Sequence, residues 1–178
     1  MACPEGISFD MAASSFSPQL HPHGVSIAAP QDDADLDAIR SLFAEYGGSL
    51  GFSLDYQDFA SELAGLPGKF AAPSGALLLA RVEGAPAGAV ALRPLEPGIC
   101  EMKRLYVRPA FKGRSLGRLL AEAIVAEARA RNYRRLRLDT VADRMQAAVA
   151  LYRKMGFVDI PPYYDSPIPG TAYMELDL

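Results

Sequence analysis

The sequence predicts a mixed α/β fold in one domain, on three grounds. A chain of 178 residues suits one domain with a substantial core. Half of its residues are hydrophobic and 22% are charged, the balance of a globular, soluble chain. From residue 25 onward, the apolar pattern switches repeatedly between the two-residue repeat of strands and the longer repeat of helices. The resulting order is β-α-α-β-β-β-α-β-α-β-β.

The first 24 residues, MACPEGISFDMAASSFSPQLHPHG, are rich in Ser, Pro and Gly and read as a flexible leader. They lack the basic start and continuous apolar run of a signal peptide, so a cytoplasmic location is the default expectation. VSIAA (25–29) reads as a short strand. Asp32, Asp33 or Asp35 can cap a helix reaching Tyr46, with Leu36, Ile39, Leu42 and Phe43 on one face and Gly47 and Gly48 as its stop. A second helix is expected over Tyr56 to Leu63. ALLLARV (76–82) and GAVALRPL (88–95) read as strands joined by EGAPA, and Ile99 to Val107 as the next strand.

From Leu116, the spacing of Leu119, Leu120, Ala123, Ile124 and Ala128 is helical, with Asn132 as the stop. RRLRLDT (134–140) alternates as a strand should. Arg144 to Met155 reads as a helix with Ala148, Leu151, Tyr152 and Met155 on one face, closed by Gly156. Phe157 to Ile160 and Ala172 to Leu178 read as two final strands around a loop rich in Pro and Tyr. Residues 25–178 are thus expected to form the domain.

Several function classes are disfavoured. A net charge of -3 argues against nucleic acid as the main partner, which would need a basic surface. No apolar stretch approaches the length of a membrane span. Cys3 and Cys100 suggest neither a disulfide framework nor a metal cluster, and His21 and His23 read as tail residues, so no metal is expected. Positive charge is nevertheless concentrated at Lys103 to Arg118 and at Arg129 to Arg137, consistent with one anionic ligand.

The strand CEMKRLYV contains a phase slip. Met102 and Leu105 are an odd number of residues apart and would face opposite ways in a regular strand. Either a β-bulge restores both to one core, or the strand is buried on both faces. A bulge would matter because splayed strands leave backbone groups free to pair with a ligand.

The following loop, RPAFKGRSLGRLL (108–120), brings two glycines, a serine and four basic residues to a strand-to-helix junction. It is neither a nucleotide-triphosphate P-loop, since no Lys-Ser or Lys-Thr follows the second glycine, nor a G-x-G-x-x-G fingerprint. A glycine-bearing turn at a helix start still offers free amides and a partial positive charge to a phosphate. An ordinary helix entry with exposed basic residues would read the same way.

Taken together, LYVRPAFKGRSLGRLL and AAVALYRKMGF resemble the two signature regions of the GNAT superfamily of acyl-CoA N-acyltransferases, in a bacterial-type form. The resemblance spans roughly residues 25–178, including the element order. It implies a mostly antiparallel sheet with flanking helices and splayed central strands. It also implies acetyl-CoA as co-substrate, its pyrophosphate held by Lys112, Gly113, Arg114, Ser115, Leu116, Gly117 and Arg118. In the family pattern, Gln or Arg stands where this chain has Lys112, and glycine where it has Ser115. Lysine keeps the charge but loses the planar fork, and a serine side chain limits how closely the backbone approaches phosphate. The resemblance further implies the bulged strand, with Leu105, Tyr106 and Val107 pairing with the pantetheine arm.

Acyl transfer from a thioester to an amine needs a neutral amine, a stabilised oxyanion and a protonated leaving thiolate. Deprotonating a lysine-like amine at pH 7 costs about 4.6 kcal/mol, and an α-amino group about 1.4 kcal/mol. Glu101, four residues before Leu105, resembles the glutamate that some family members use as base; it also reads as a carboxylate paired with Lys103 or Arg93. Tyr152 matches the tyrosine that many members place beside the coenzyme sulfur. A phenol of pKa about 10 is protonated at neutral pH and can donate to a thiolate of pKa about 8.5. The oxyanion is most simply met by an amide near Leu105.

The acceptor is expected to be an amine of a small molecule, amino acid or peptide, attacked directly in a ternary complex. Its walls are expected from Ser49 to Phe70 and from PPYYDSPIPG (161–170). Within them, Asp55, Glu62 and Asp165 suit a cation, and Tyr56, Tyr163 and Tyr164 an apolar slot. The competing class is a catalytically silent acyl-CoA-binding sensor or partner-binding module. Many members of the superfamily form homodimers, but nothing in this sequence fixes the oligomeric state.

Overall fold

In the computed structural model, which describes residues 17–178, four N-terminal strands meander antiparallel. They are β1 (Gln19–His21), β2 (Val25–Ala28), β3 (Ala76–Val82) and β4 (Ala85–Glu96). Strand β5 (Ile99–Val107) continues the meander. The sheet then takes in β6 (Arg135–Val141), β7 (Val158–Ile160) and β8 (Thr171–Asp177). The order is β1-β2-β3-β4-β5-β6-β8-β7, and β5–β6 is the parallel junction.

The helices are α1 (Asp33–Ser49), α2 (Phe59–Ala64), α3 (Leu116–Ala130) and α4 (Gln146–Lys154). They divide between the two faces of the sheet. On one face, Leu78, Val90 and Leu92 join Leu120, Ile124 and Ala128 of α3 and Val149 and Tyr152 of α4. On the other, Leu77, Leu79, Ala89 and Ala91 join Ile39, Leu42 and Phe43 of α1. Alternate residues of β3 and β4 therefore enter different cores. This explains their nearly uninterrupted apolar sequences.

The sheet and helices follow the mixed α/β reading, with several local differences. Gln19–His21 pairs with β2, so ordered structure begins inside the expected leader, whose residues 1–16 lie outside those described. Asp32 caps α1, its side chain accepting from the Asp35 amide. Gly47 and Gly48 do not stop α1, which continues through Ser49. A Cβ on Gly47 would stand 2.6 Å from the Phe59 ring, so glycine admits α2 against α1 rather than ending the helix. The helix expected over Tyr56–Leu63 divides into a 3₁₀ turn (Asp55–Gln57) and α2, separated by Asp58 in the left-handed region at φ +53°.

Candidate active site

Parallel pairing between β5 and β6 is confined to Ile99 with Arg135, Cys100 with Leu136 and Glu101 with Arg137. Beyond Glu101, β5 keeps its partner β4 on one side only. Its register there places Ala89 opposite Tyr106 but Ala91 opposite Lys103. Two residues, Arg104 and Leu105, thus face the single Val90. This is a β-bulge, and Arg104 adopts the left-handed conformation at φ +59°. Met102 and Leu105 consequently return to the same core, which accounts for the phase slip.

The splay opens a cleft. Met102 to Leu105 line one lip and Leu138 to Val141 the other, with Ala148 and Tyr152 of α4 at its base. Tyr46 and the segment from Leu50 to Gln57 close the remaining side. The expected acceptor segment does therefore flank the cleft, through Tyr56 among others. Asp55 is exposed and is not part of the lining. Tyr164 and Asp165 of the 161–170 loop line an adjoining recess with Lys69, Arg93 and Lys103.

Lys103 and Asp139 join the two lips by a 2.6 Å ion pair. Burial pushes the Asp139 carboxyl up, but the Lys103 charge and hydrogen bonds from Lys103 and Tyr164 outweigh it, leaving its pKa below the ordinary carboxylate range. Glu101 is fully buried. Its Oε2 accepts from Arg93 at 2.6 Å and its Oε1 from the Tyr163 hydroxyl at 2.8 Å, and it does not line the cleft. The carboxylate facing the cleft is Asp139. Glu101 instead sits behind it, anchoring Arg93, Tyr163 and Lys103.

Tyr152 lies on the cleft side of α4, only 6% exposed. Its ring packs on Phe157 at 5.6 Å between centroids. Burial first, then neighbouring groups including Asp139, raises its pKa above the ordinary phenol value. It is therefore a protonated hydroxyl at the cleft, available as a donor.

At the other end of the cleft, β5 leads through a 3₁₀ turn (Pro109–Phe111) into the loop before α3. Lys112, Gly113, Arg114 and Ser115 are exposed. Gly113 has φ +82° and its missing Cβ would touch nothing, so glycine serves the backbone angle alone. Ser115 is the N-cap of α3 at φ +58°, and its hydroxyl forms no cap bond. Among the described residues, the amides from Gly113 to Arg118 meet no backbone acceptor. Leu116 is a core residue, 1% exposed, so only its backbone can serve a ligand. Arg118 is exposed, 3.7 Å from Glu122. Free amides at a helix start beside Lys112, Arg114 and Arg118 fit a diphosphate.

Leu105, Tyr106 and Val107 are half-buried on the strand linking this loop to the bulge. Tyr106 turns towards α1, its ring 6.2 Å from Tyr46, whereas Leu105 and Val107 pack towards α3.

Comparison with known proteins places this geometry in a class. The family model for the Acetyltransferase (GNAT) family matches residues 36–157, spanning both the bulged strand and the loop. The chain is 41% identical to an uncharacterised N-acetyltransferase of Schizosaccharomyces pombe, covering 89% of this chain and 98% of the relative. A Staphylococcus aureus acetyltransferase of the GNAT family superposes with a TM-score of 0.71 at 15% identity, covering 86% of this chain and 98% of that one. A Salmonella typhimurium structure containing its cofactor acetyl-CoA superposes with a TM-score of 0.61 at 20% identity, covering 86% and 94%. The protein belongs to the GNAT family of acetyltransferases. That family uses acetyl-CoA.

Lys103, Arg104, Asp139, Tyr46 and Gln57 line the cleft but were not singled out as site residues from the sequence. The phase slip between Met102 and Leu105 marked the right stretch for the first two. Nothing local marks Asp139, which reads as an ordinary outward residue of an alternating strand.

Proposed function

We propose that the protein transfers an acetyl group from acetyl-CoA to a primary amine of a small molecule, amino acid or peptide. The reading rests on one observation above all: the sheet opens into a walled cleft just after Glu101 and Arg137, on the strand that leads to the free amides at the start of α3. Lys112, Arg114 and Arg118 and the amides from Gly113 to Arg118 hold the diphosphate, while Leu105, Tyr106 and Val107 pair with the pantetheine arm.

Acetyl-CoA supplies an activated thioester. The amine nitrogen attacks the carbonyl carbon directly, the C–N bond forms, and the C–S bond breaks. An amide at the bulge, near Leu105, stabilises the oxygen that gains charge. The Tyr152 hydroxyl, kept protonated by its raised pKa, donates a hydrogen bond to the departing thiolate, which takes its proton from solvent. The amine proton leaves through cleft water, since Glu101 is engaged by Arg93 and Tyr163 and the lowered pKa of Asp139 makes it a poor base.

The test is free-thiol release from acetyl-CoA and longer acyl-CoAs across a panel of amines. Turnover dependent on both substrates is expected. Stabilisation by CoA without turnover of any amine would favour the silent acyl-CoA-binding module instead.

A further inference from the structure

Arg104 is held in an unusual way. Its side chain is only 2% exposed. Nε donates to Glu62 Oε1 at 2.8 Å and Nη1 to Gln57 Oε1 at 2.8 Å. The Phe59 ring covers one face of the guanidinium, 4.9 Å from Cζ. Nη2 is buried and has no hydrogen-bond partner. A guanidinium nitrogen left in that state is a costly arrangement, because it forfeits water without receiving an acceptor in return.

Local charge points the same way. Arg93 and Lys103 are matched by Glu101 and Asp139. Arg104 and Lys69, by contrast, share the single carboxylate of Glu62, so this ion-paired group carries one positive charge in excess. Arg144 adds a further cation at the rim, donating to the Leu50 carbonyl at 2.7 Å and lying over the Phe52 ring. Exposed Asp165 lines the adjoining recess with Lys69, so the unmatched charge is centred on the buried Arg104 rather than on Lys69.

The backbone adds a third observation. Arg104 occupies the left-handed position of the bulge at φ +59°, where glycine would be the unstrained choice. An arginine there accepts strain in order to place its side chain between Glu62 and Gln57, on the cleft wall.

From the unpartnered Nη2, the excess charge and the strained placement, we propose that the acceptor amine also carries a carboxylate, and that Arg104 binds it. The inference rests on the acetyl-transfer reading and narrows its substrate class to amino carboxylates. A carboxylate would supply the acceptor missing at Nη2 and the charge missing beside Glu62. The same residue begins the bulge that continues into Leu105, so carboxylate recognition and oxyanion stabilisation share one stretch of strand.

The experiment compares amine pairs of one skeleton, bearing either a carboxylate or a carboxamide, by thiol release from acetyl-CoA with the full chain. The carboxylate member is expected to have a kcat/KM about 10- to 100-fold higher, chiefly through KM, as a charge-assisted hydrogen bond gives. In Arg104→Gln the ratio should collapse towards one, and Arg104→Lys should restore part of it. A merely structural role would lower both substrates alike and leave the ratio standing.

A second readout needs neither a variant nor turnover. Melting of the wild-type chain with CoA is followed in propionate and in propionamide at matched ionic strength, and only propionate should raise the midpoint. Equal kcat/KM within pairs, or equal midpoints in the two additives, would overturn the proposal. If no amine is turned over yet propionate still stabilises, the transferase reading fails while the anion site stands.

Discussion

Lys103 Nζ lies 2.6 Å from Asp139 Oδ1 and spans the two strands just past the point where their backbones stop pairing. A side-chain rung replaces the ladder there, holding the lips of the cleft together while leaving the strand edges unpaired. With Arg104–Glu62 at 2.8 Å, it makes the cleft walls depend on buried charge.

That dependence predicts an acid limit to stability. Asp139 and Glu62 both have pKa values held below the ordinary range; burial opposes this, but Lys103 at the first and Arg104 and Lys69 at the second prevail. In the unfolded chain these groups titrate at about 3.9 and 4.3. Their contribution is therefore present above about pH 5 and is lost as pH falls through about 4 and below. Thermal melting against pH should show that fall, and Asp139→Asn should lower the neutral-pH midpoint while flattening the acid limb.

Tyr152→Phe should retain the ring packing on Phe157 and remove only the hydroxyl. Turnover is expected to drop about 100-fold, within the range for losing one preorganised hydrogen-bond donor, with CoA affinity unchanged by calorimetry. Unaltered turnover would remove Tyr152 from the reaction.

Glu101→Gln would remove the fully buried carboxylate that pairs with Arg93, while Lys103 keeps Asp139. A loss of about 3 kcal/mol is expected, visible as a lowered denaturation midpoint. If Glu101 only anchors its neighbours, the wild-type to variant turnover ratio should stay flat across pH. A ratio rising towards low pH would restore it as the base.

Gly113→Ala places a side chain at φ +82° with nothing around it, so its cost of about 1–2 kcal/mol is that of the backbone angle. CoA affinity should weaken about 10-fold where the loop must keep that angle to bind. Ser115→Gly, at φ +58°, should bind CoA as tightly as wild type or more tightly, because it relieves the same kind of strain. Titration calorimetry on both variants separates backbone effects from charge effects.

Much of the fold was legible because its signals are local. ALLLARV coincides with β3 and Ile99–Val107 with β5, because each short run is bounded by Gly or Pro turn residues. The helical stripe from Leu116 likewise coincides with the start of α3. Gly47 shows the limit: a glycine at the end of a helical pattern reads as a stop, yet it was required by Phe59, a residue on another helix.

The sequence by itself determined the order of elements, the phase slip at Met102–Leu105 and the basic, glycine-bearing entry to α3. Each depends on neighbours along the chain. Tertiary structure alone decided that Glu101 faces Arg93 and Tyr163 while Asp139 faces the cleft, and that Arg104 keeps one nitrogen unmatched. The physical reason is that a charged side chain's role is set by which partners reach it across the sheet. Those partners come from residues 42 and 36 positions away in the pairs Arg104–Glu62 and Lys103–Asp139.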